Sequence, residues 1–138
     1  MLTIPKFGWT NVVIEDFKEP ASYLTDVPME CLDSMIFALS NNASFCVDFD
    51  AEGYTYKVIS DWYKTFIIME QDSPTLIVFE NKSRNDLAKE LLEDISTNID
   101  DWCNFSYSIE EDGEEEFNRY KKELNKKIEI LKSLIDKS

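Results

Sequence analysis

The sequence has no histidine, the side chain that most often moves protons near neutral pH. It has only three glycines, and it contains neither the G-x-S-x-G turn of a nucleophilic serine nor a glycine-rich loop that could cradle a phosphate. These absences argue against catalytic triads and dinucleotide-binding folds. We therefore expect no cofactor and no enzymatic activity.

Cysteine and long apolar runs are also scarce. The three cysteines, Cys31, Cys46 and Cys103, are odd in number and widely spaced, so without histidine they predict buried free thiols and neither a disulfide framework nor a zinc site. No run approaches the roughly 20 apolar residues of a membrane helix, and residues 1–7 lack the apolar stretch of a signal peptide. We expect a single cytoplasmic domain over residues 1–138.

Negative charge is what the sequence has in excess. Twenty-eight Asp and Glu stand against fourteen Lys and Arg, which gives a net charge of −14 at pH 7. Residues 117–138 hold seven basic and three acidic side chains, so the first 116 residues are more acidic than the whole chain. Such a charge repels nucleic acid and anionic membranes and attracts a basic protein over roughly 8 Å, the Debye length in physiological salt.

Local patterns in the first half predict strands and one helix. A β-branched and aromatic run predicts a strand over Trp9–Ile14, and we expect a polar loop containing Pro20 after it. Asp26 as a capping residue and Pro28 in the first turn predict a helix that ends at Asn41-Asn42.

Period-two alternation then predicts a meander of four strands. Residues 44–59 predict a hairpin that turns at Glu52-Gly53, and the run Tyr63–Glu70 predicts a central strand because its middle is apolar on both faces. A turn at Asp72-Ser73-Pro74 leads to a last strand, Leu76–Phe79. With the N-terminal strand, the sequence predicts an antiparallel sheet of about five strands.

Two helices are predicted after the sheet, so the fold class is α+β with the order β-α-β-β-β-β-α-α. Ser83 and Asp86 form a capping-box pattern that opens the first, which we expect to include Trp102. The second begins after Asp112-Gly113, and its apolar row from Phe117 to Ile135 could pack within the chain or pair two chains.

The first of these two helices has an acidic face opposite its apolar face. The acidic face comprises Asp86, Glu90, Glu93, Asp94, Asp100 and Asp101. Charged faces are usually only solvated. Here Lys89 is the only cation close by in the sequence, so clustering the carboxylates costs stability, and a basic partner would offset that cost.

Aromatic side chains within an acidic field are typical of a protein-binding site. Trp62 and Tyr63 follow Asp61 at a predicted strand connection, where they are either exposed or close the end of the core, and we expect Asp50 and Glu52 at a neighbouring hairpin. Near the end of the acidic helix, Trp102, Phe105 and Tyr107 are expected to close the core. The predicted partner-binding residues are Asp50, Glu52, Tyr54, Asp61, Trp62, Tyr63, Glu90, Glu93, Asp94 and Asp101.

Two carboxylate patterns imitate metal chemistry without completing it. Residues 48–53 match the first half of an EF-hand loop, but Ile59 stands where the bidentate twelfth ligand belongs. Glu80-Asn81-Lys82 resembles the acid and lysine signature of metal-dependent nucleases, whose polyanionic substrate this chain would repel. No metal site is predicted, and a metal-dependent hydrolase is kept as an alternative.

Several motifs resemble those of a group of small bacterial proteins. They are Gly8-Trp9 leading into a strand, the segment Tyr23–Pro28 with Cys31-Leu32-Asp33, and Phe45–Gly53. In size, acidity and sheet-then-helix order, residues 8–105 are similar to the immunity proteins that bacteria keep beside secreted polymorphic toxins. The resemblance implies a cytosolic inhibitor that occupies a toxin's basic, substrate-facing surface without cofactor or turnover, and it assigns no binding residue.

From charge, aromatic residues and resemblance together, we expect a stoichiometric inhibitor of a basic protein. The alternative is a nucleic-acid mimic, phage-encoded or directed against a defence system, that inhibits a DNA-binding enzyme, because carboxylates along a helix imitate phosphates. Competition with duplex DNA would favour the mimic, and a toxin encoded beside the gene would favour the immunity protein. The sequence leaves a monomer or a homodimer open.

Overall fold

The computed structural model describes residues 1–106 and 109–137, and this part of the chain forms six strands and five helices. The strands are β1 (Trp9–Ile14), β2 (Phe17–Ser22), β3 (Phe45–Asp50), β4 (Thr55–Ser60), β5 (Thr65–Glu70) and β6 (Thr75–Phe79). The helices are α1 (Val27–Ser40), α2 (Arg84–Ser96), α3 (Ile99–Ser106), α4 (Ile109–Asp112) and α5 (Glu114–Lys137). The predicted α+β class is confirmed.

The strands form two antiparallel sheets, so the prediction of one sheet of about five strands is wrong. β1 pairs with β2, and β3, β4, β5 and β6 follow one another in a four-stranded sheet. The predicted hairpin, the central place of β5 and the meander are confirmed. The predicted polar loop around Pro20 is instead β2, where Pro20 lies opposite Asn11. The tight turn before it carries Glu15 at a φ of 54°, and Glu15-Asp16 lacks the Asn or Gly that usually marks such a turn.

Residues 1–6 run beside β1 and widen the small sheet. The N–H of Thr3 donates to the carbonyl of Asn11 at 3.0 Å, and the N–H of Val13 donates to the carbonyl of Met1 at 2.7 Å. The chain then turns at Phe7-Gly8 into β1.

The core lies between the inner face of the four-stranded sheet, the helices and β2. Alternate residues of β3, such as Phe45 and Phe49, point into this core because strand side chains alternate between faces. From β2, the ring of Phe17 meets those of Tyr56 at 5.9 Å and Phe79 at 6.4 Å between centroids. Trp102 and Phe105 are buried, as predicted, whereas Tyr107 lies outside the described residues.

The long acidic helix predicted through Trp102 is divided into α2 and α3. Helix α2 ends where polar side chains donate hydrogen bonds to the backbone carbonyls of its last turn. The hydroxyl of Thr97 donates to the carbonyl of Glu93 at 2.7 Å, and the indole N–H of Trp102 donates to the carbonyl of Asp94 at 3.1 Å. Helical spacing of the apolar residues continues across the break, which is why the sequence suggested one helix.

The predicted helix starts are confirmed, and one of them is built differently from the expectation. Ser83 and Asp86 form a complete capping box, with bonds of 3.1 and 3.0 Å. Within the described part of the chain, the Asp26 carboxylate makes no capping bond, and it accepts the hydroxyls of Tyr120 at 2.6 Å and Ser106 at 3.2 Å. Asp26 therefore joins α1 to α5 and α3.

The cysteines are free thiols, and one of them contradicts the prediction of burial. Cys31 and Cys103 are buried, and burial raises the pKa of the Cys103 thiol to about 11. Cys46 is exposed because it points to the outer face of the edge strand β3. None of the described helices is both long and apolar enough to span a membrane.

Candidate partner-binding surfaces

Trp62 and Tyr63 are exposed at the turn between β4 and β5, to 45% and 75% respectively. Asp61 fixes this turn, because its Oδ1 accepts the N–H groups of Tyr63 at 2.8 Å and Lys64 at 2.7 Å. The same two bonds lower the pKa of the Asp61 carboxyl. The aromatic pair is therefore displayed on a turn with a defined backbone.

The indole of Trp62 rests against two neighbouring elements. Its N–H donates to Oδ1 of Asn42 at 3.2 Å, and the guanidinium of Arg84 lies 5.1 Å from the centre of its ring. Arg84 is buried and donates to the carbonyl of Ala43 at 2.8 Å, and its desolvation lowers its pKa. Trp62 therefore has a buried cation against its ring, while the carboxylate of the adjacent Asp61 caps the same turn.

Asp50 and Glu52 do not neighbour Trp62, so the expectation that they lie at a hairpin beside it is wrong. They lie at the turn between β3 and β4, at the other end of β4 from the Trp62 turn. Six extended residues separate the two ends by about 20 Å. The Oδ1 atom of Asp50 accepts the N–H of Glu52 at 2.7 Å, and Glu52 has a φ of 56°.

Tyr54, predicted as a possible anchor, is engaged within the chain. Its hydroxyl donates to the Glu19 carboxylate on β2, and this bond raises the pKa of Tyr54 to about 12. The ring is also partly buried beside Tyr56, with 6.4 Å between centroids. Tyr54 therefore connects the two sheets.

Two carboxylates of the acidic α2 face bind cations of this same chain. The amine of Met1 lies 3.1 Å from Oε1 of Glu90 and 2.8 Å from Oδ2 of Asp94, and the ammonium group of Lys82 lies 2.9 Å from Oε2 of Glu90. More of the negative charge on this face is therefore neutralised within the chain than the sequence indicated. Glu93 is exposed on α2, and Asp101 is exposed on the separate helix α3.

Sequence reasoning missed Phe7, the most exposed large apolar side chain among the described residues, at 90%. Lys6 and Trp9 exchange two backbone hydrogen bonds, of 2.8 and 3.1 Å, around the two-residue turn Phe7-Gly8. Both turn residues have positive φ, 54° and 79°, as in a type I′ turn, where Asn or Gly is favoured in place of Phe. The dipeptide Phe-Gly just before the predicted strand was the sequence signal that could have indicated a turn with an exposed phenylalanine.

Other exposed apolar side chains lie on the segments that meet at the Phe7-Gly8 turn, where the N–H of Tyr23 donates to the carbonyl of Gly8 at 2.9 Å. We call Phe7, Trp9, Tyr23 and Leu24 the Phe7 patch; the last three are exposed to 37%, 57% and 56%. Gly8 allows this arrangement, since a Cβ there would come within 2.9 Å of the Tyr23 ring. The predicted residue Asp101 borders a depression of about 360 Å³ that Phe7 also lines.

The densest acidic segment also lay outside the predicted site. The six carboxylates of α4 and the first turn of α5 are Glu110, Glu111, Asp112, Glu114, Glu115 and Glu116. Arg119 pairs with Glu116 at 2.8 Å and with Glu115 at 3.5 Å. Over residues 1–106 and 109–137, no group of three or more Cys, Asp and Glu is placed to hold a metal ion.

The fold and these surfaces define an α+β protein with two exposed aromatic turns and an acidic exterior. No protein-family model matches the chain, and comparisons with curated proteins and with solved structures found no significant match.

Proposed function

We propose that this protein is a stoichiometric inhibitor of a basic protein, as an immunity protein is of a toxin. The observation that carries the proposal is the exposed Trp62–Tyr63 pair on a turn fixed by Asp61. Trp and Tyr are enriched among the residues that dominate binding energy, and a turn that is already ordered loses little entropy on binding. Asp61 thus preorganises the anchor.

The acidic exterior supplies the second part of the proposal. Several cations of α5 are used within the chain, with Lys121 at 2.8 Å from Asp100 and Lys127 paired with Asp33. Each of these pairs neutralises one carboxylate as well as one cation, so the net charge of −14 still sets the field of the surface. Such a field accelerates association with a basic partner, and the on-rate falls as salt screens it.

The test uses a basic toxin encoded beside the gene, titrated calorimetrically with the purified protein. We expect a 1:1 complex that abolishes toxin activity, and we expect W62A and Y63A each to weaken binding by about tenfold or more. The matched control is I130A, which truncates a side chain that is 40% exposed on α5, and its affinity should be unchanged. Full toxin activity at stoichiometric excess, or equal affinity of all variants, would refute the proposal.

A nucleic-acid mimic is the second candidate, favoured by the six carboxylates within seven residues at Glu110–Glu116. A mimic competes with duplex DNA for its target, and its affinity falls steeply with salt. Competition by DNA, together with loss of binding in a variant that carries Gln at the six positions, would favour this candidate. Turnover of a phosphodiester with added Mg²⁺ or Ca²⁺ would instead favour a metal-dependent hydrolase.

A further inference from the structure

β6 is an unprotected sheet edge. Within the described part of the chain it hydrogen-bonds to β5 on one side and to no strand on the other. The strand Thr75–Phe79 carries no charge and no proline, and Leu76 and Val78 are exposed to 61% and 40%. Proteins usually protect such an edge with charges, proline or a bulge, because its free backbone groups accept another strand.

The opposite edge of the same sheet is protected. On β3, the exposed positions alternate with the core positions and include Asp48, and Asp50 ends the strand. Adding a strand at β3 would place Asp48, its partner Lys57 at 2.7 Å, and Asp50 at the new interface, and charged side chains along an edge disfavour strand addition. The β3 edge therefore carries charges that disfavour the addition of a strand, and the β6 edge does not.

An apolar band crosses the outer face of the sheet and reaches the β6 edge. In the sheet register, Ile59 lies beside Phe66, and Phe66 lies beside Val78. In the adjacent row, Ile68 lies beside Leu76. A strand added at β6 would continue both rows with apolar neighbours.

We propose that two copies of this chain pair antiparallel through β6, symmetrically about Ile77, and so form a continuous eight-stranded sheet. In this register Leu76 lies opposite Val78 of the partner subunit, and Thr75 lies opposite Phe79 of the partner subunit. Glu80 falls opposite Pro74 of the partner subunit, so no carboxylate faces another. Glu80 is in addition neutralised by Lys64 of its own chain at 3.0 Å.

Charge and size set the strength and the limit of this assembly. Five residues span only about 17 Å of strand, which is a short edge compared with the interfaces of stable dimers, so the dimer is weak and reversible. Two chains of net charge −14 repel each other, and salt screens that repulsion. The dimer therefore strengthens as salt rises, opposite to the binding of a basic partner. Because the β3 edge is protected, assembly stops at two.

Sedimentation equilibrium of the full chain tests the pairing, first at low salt and then at high salt. We expect a monomer–dimer equilibrium whose dissociation constant falls severalfold as NaCl is raised. A wild-type chain that stays monomeric at all concentrations in high salt overturns the proposal. A dissociation constant that rises with salt also overturns it.

Two matched double variants test the register. L76K/V78K places Lys opposite Lys at both cross-strand pairs and should abolish the dimer, whereas L76K/V78E places Lys opposite Glu and should retain it. The first variant lowers the net negative charge, so overall repulsion alone would predict the reverse order. Both substitutions lie at exposed positions, and circular dichroism checks that each variant is folded. Equal association of the two variants overturns the proposal and leaves the proposed toxin-inhibiting function untouched.

Discussion

Phe7 has a strained backbone conformation, and its ring is exposed to water. No hydrophobic burial therefore offsets the cost of that conformation. A positive φ costs an ordinary side chain about 1 kcal/mol or more, and Phe7 is 90% exposed at a φ of 54°. Neither local geometry nor the core explains a phenylalanine here. Strain of this kind is often retained at functional sites. The Phe7 patch is therefore a second candidate binding surface, after the Trp62–Tyr63 turn.

Replacing Phe7 with Asn should therefore stabilise the protein. Asn tolerates positive φ, and the relief exceeds the exposed contact of the Lys6 ammonium with the ring, which lies 5.5 Å away and is worth about 0.5 kcal/mol. We expect F7N to raise the free energy of unfolding by about 0.5 kcal/mol in urea denaturation. L24N, which changes an exposed apolar residue outside the positive-φ positions, should give no gain. Lower stability of F7N would show that the ring packs against the protein.

Tyr120 is the second residue whose role can be isolated. Its hydroxyl donates to the Asp26 carboxylate at 2.6 Å, and burial followed by the charge of Asp26 raises the pKa of Tyr120. Y120F keeps the ring and removes this bond to a charged group, so we expect a loss of about 1–2 kcal/mol in urea denaturation. Y63F removes a hydroxyl from a residue that is 75% exposed and should change nothing. Equal stability of Y120F and wild type would mean that water replaces the lost donor.

Among the elements, α2 depends on its capping box. S83A removes the oxygen that accepts the N–H of Asp86 at 3.1 Å and should cost about 1 kcal/mol. The backbone N–H of Ser83 holds the pKa of Asp86 below its ordinary value of 3.8. Because this pKa is depressed in the folded state, its contribution to stability is present above pH 3.8 and is lost as the pH falls through the folded value.

The measurement for α2 is urea denaturation of D86N and S83A at neutral and at acidic pH. D86N should lose the part of the acid dependence that comes from Asp86, and S83A should be less stable than wild type at neutral pH. S96A is the control, since the exposed Ser96 lies at the other end of α2 and its hydroxyl donates to the carbonyl of Glu93 at a long 3.5 Å. A cost of S96A as large as that of S83A would contradict a specific role for the cap.

Elements with strong local signals could be predicted, and those decided by distant contacts could not. The β3–β4 hairpin, the central strand β5 and the Ser83 cap follow from alternation, turn residues and capping chemistry over a few positions. β2 was missed because its turn uses ordinary residues, with Glu15 at positive φ. The break between α2 and α3 was missed because it depends on side-chain bonds to carbonyls, while the apolar spacing runs on.

The arrangement of the candidate site also depends on contacts between residues distant in the sequence, which local patterns do not predict. The exposure of Trp62 and Tyr63 was open from the sequence, and the structure places both in solvent. The pairing of Glu90 and Asp94 with the amine of Met1 joins residues about ninety positions apart, which no local pattern reveals. Extended strands likewise carried Asp50 away from Trp62. Composition therefore predicted the character of the surface, and tertiary structure decided which residues share a face.

The net charge of the whole molecule predicts how its melting temperature depends on salt. Most of the ion pairs here are exposed contacts such as Lys64–Glu80 and Lys121–Asp100, and exposed pairs contribute little to stability. The excess of fourteen negative charges repels itself in the folded state, and salt screens that repulsion. We expect the melting temperature to rise by about 2–5 °C between low-salt buffer and physiological NaCl. E111K/E114K, which removes charge from the densest acidic segment, should start higher and respond less. A melting temperature that falls with NaCl would mean that attractive pairs, above all those at Met1, outweigh the repulsion.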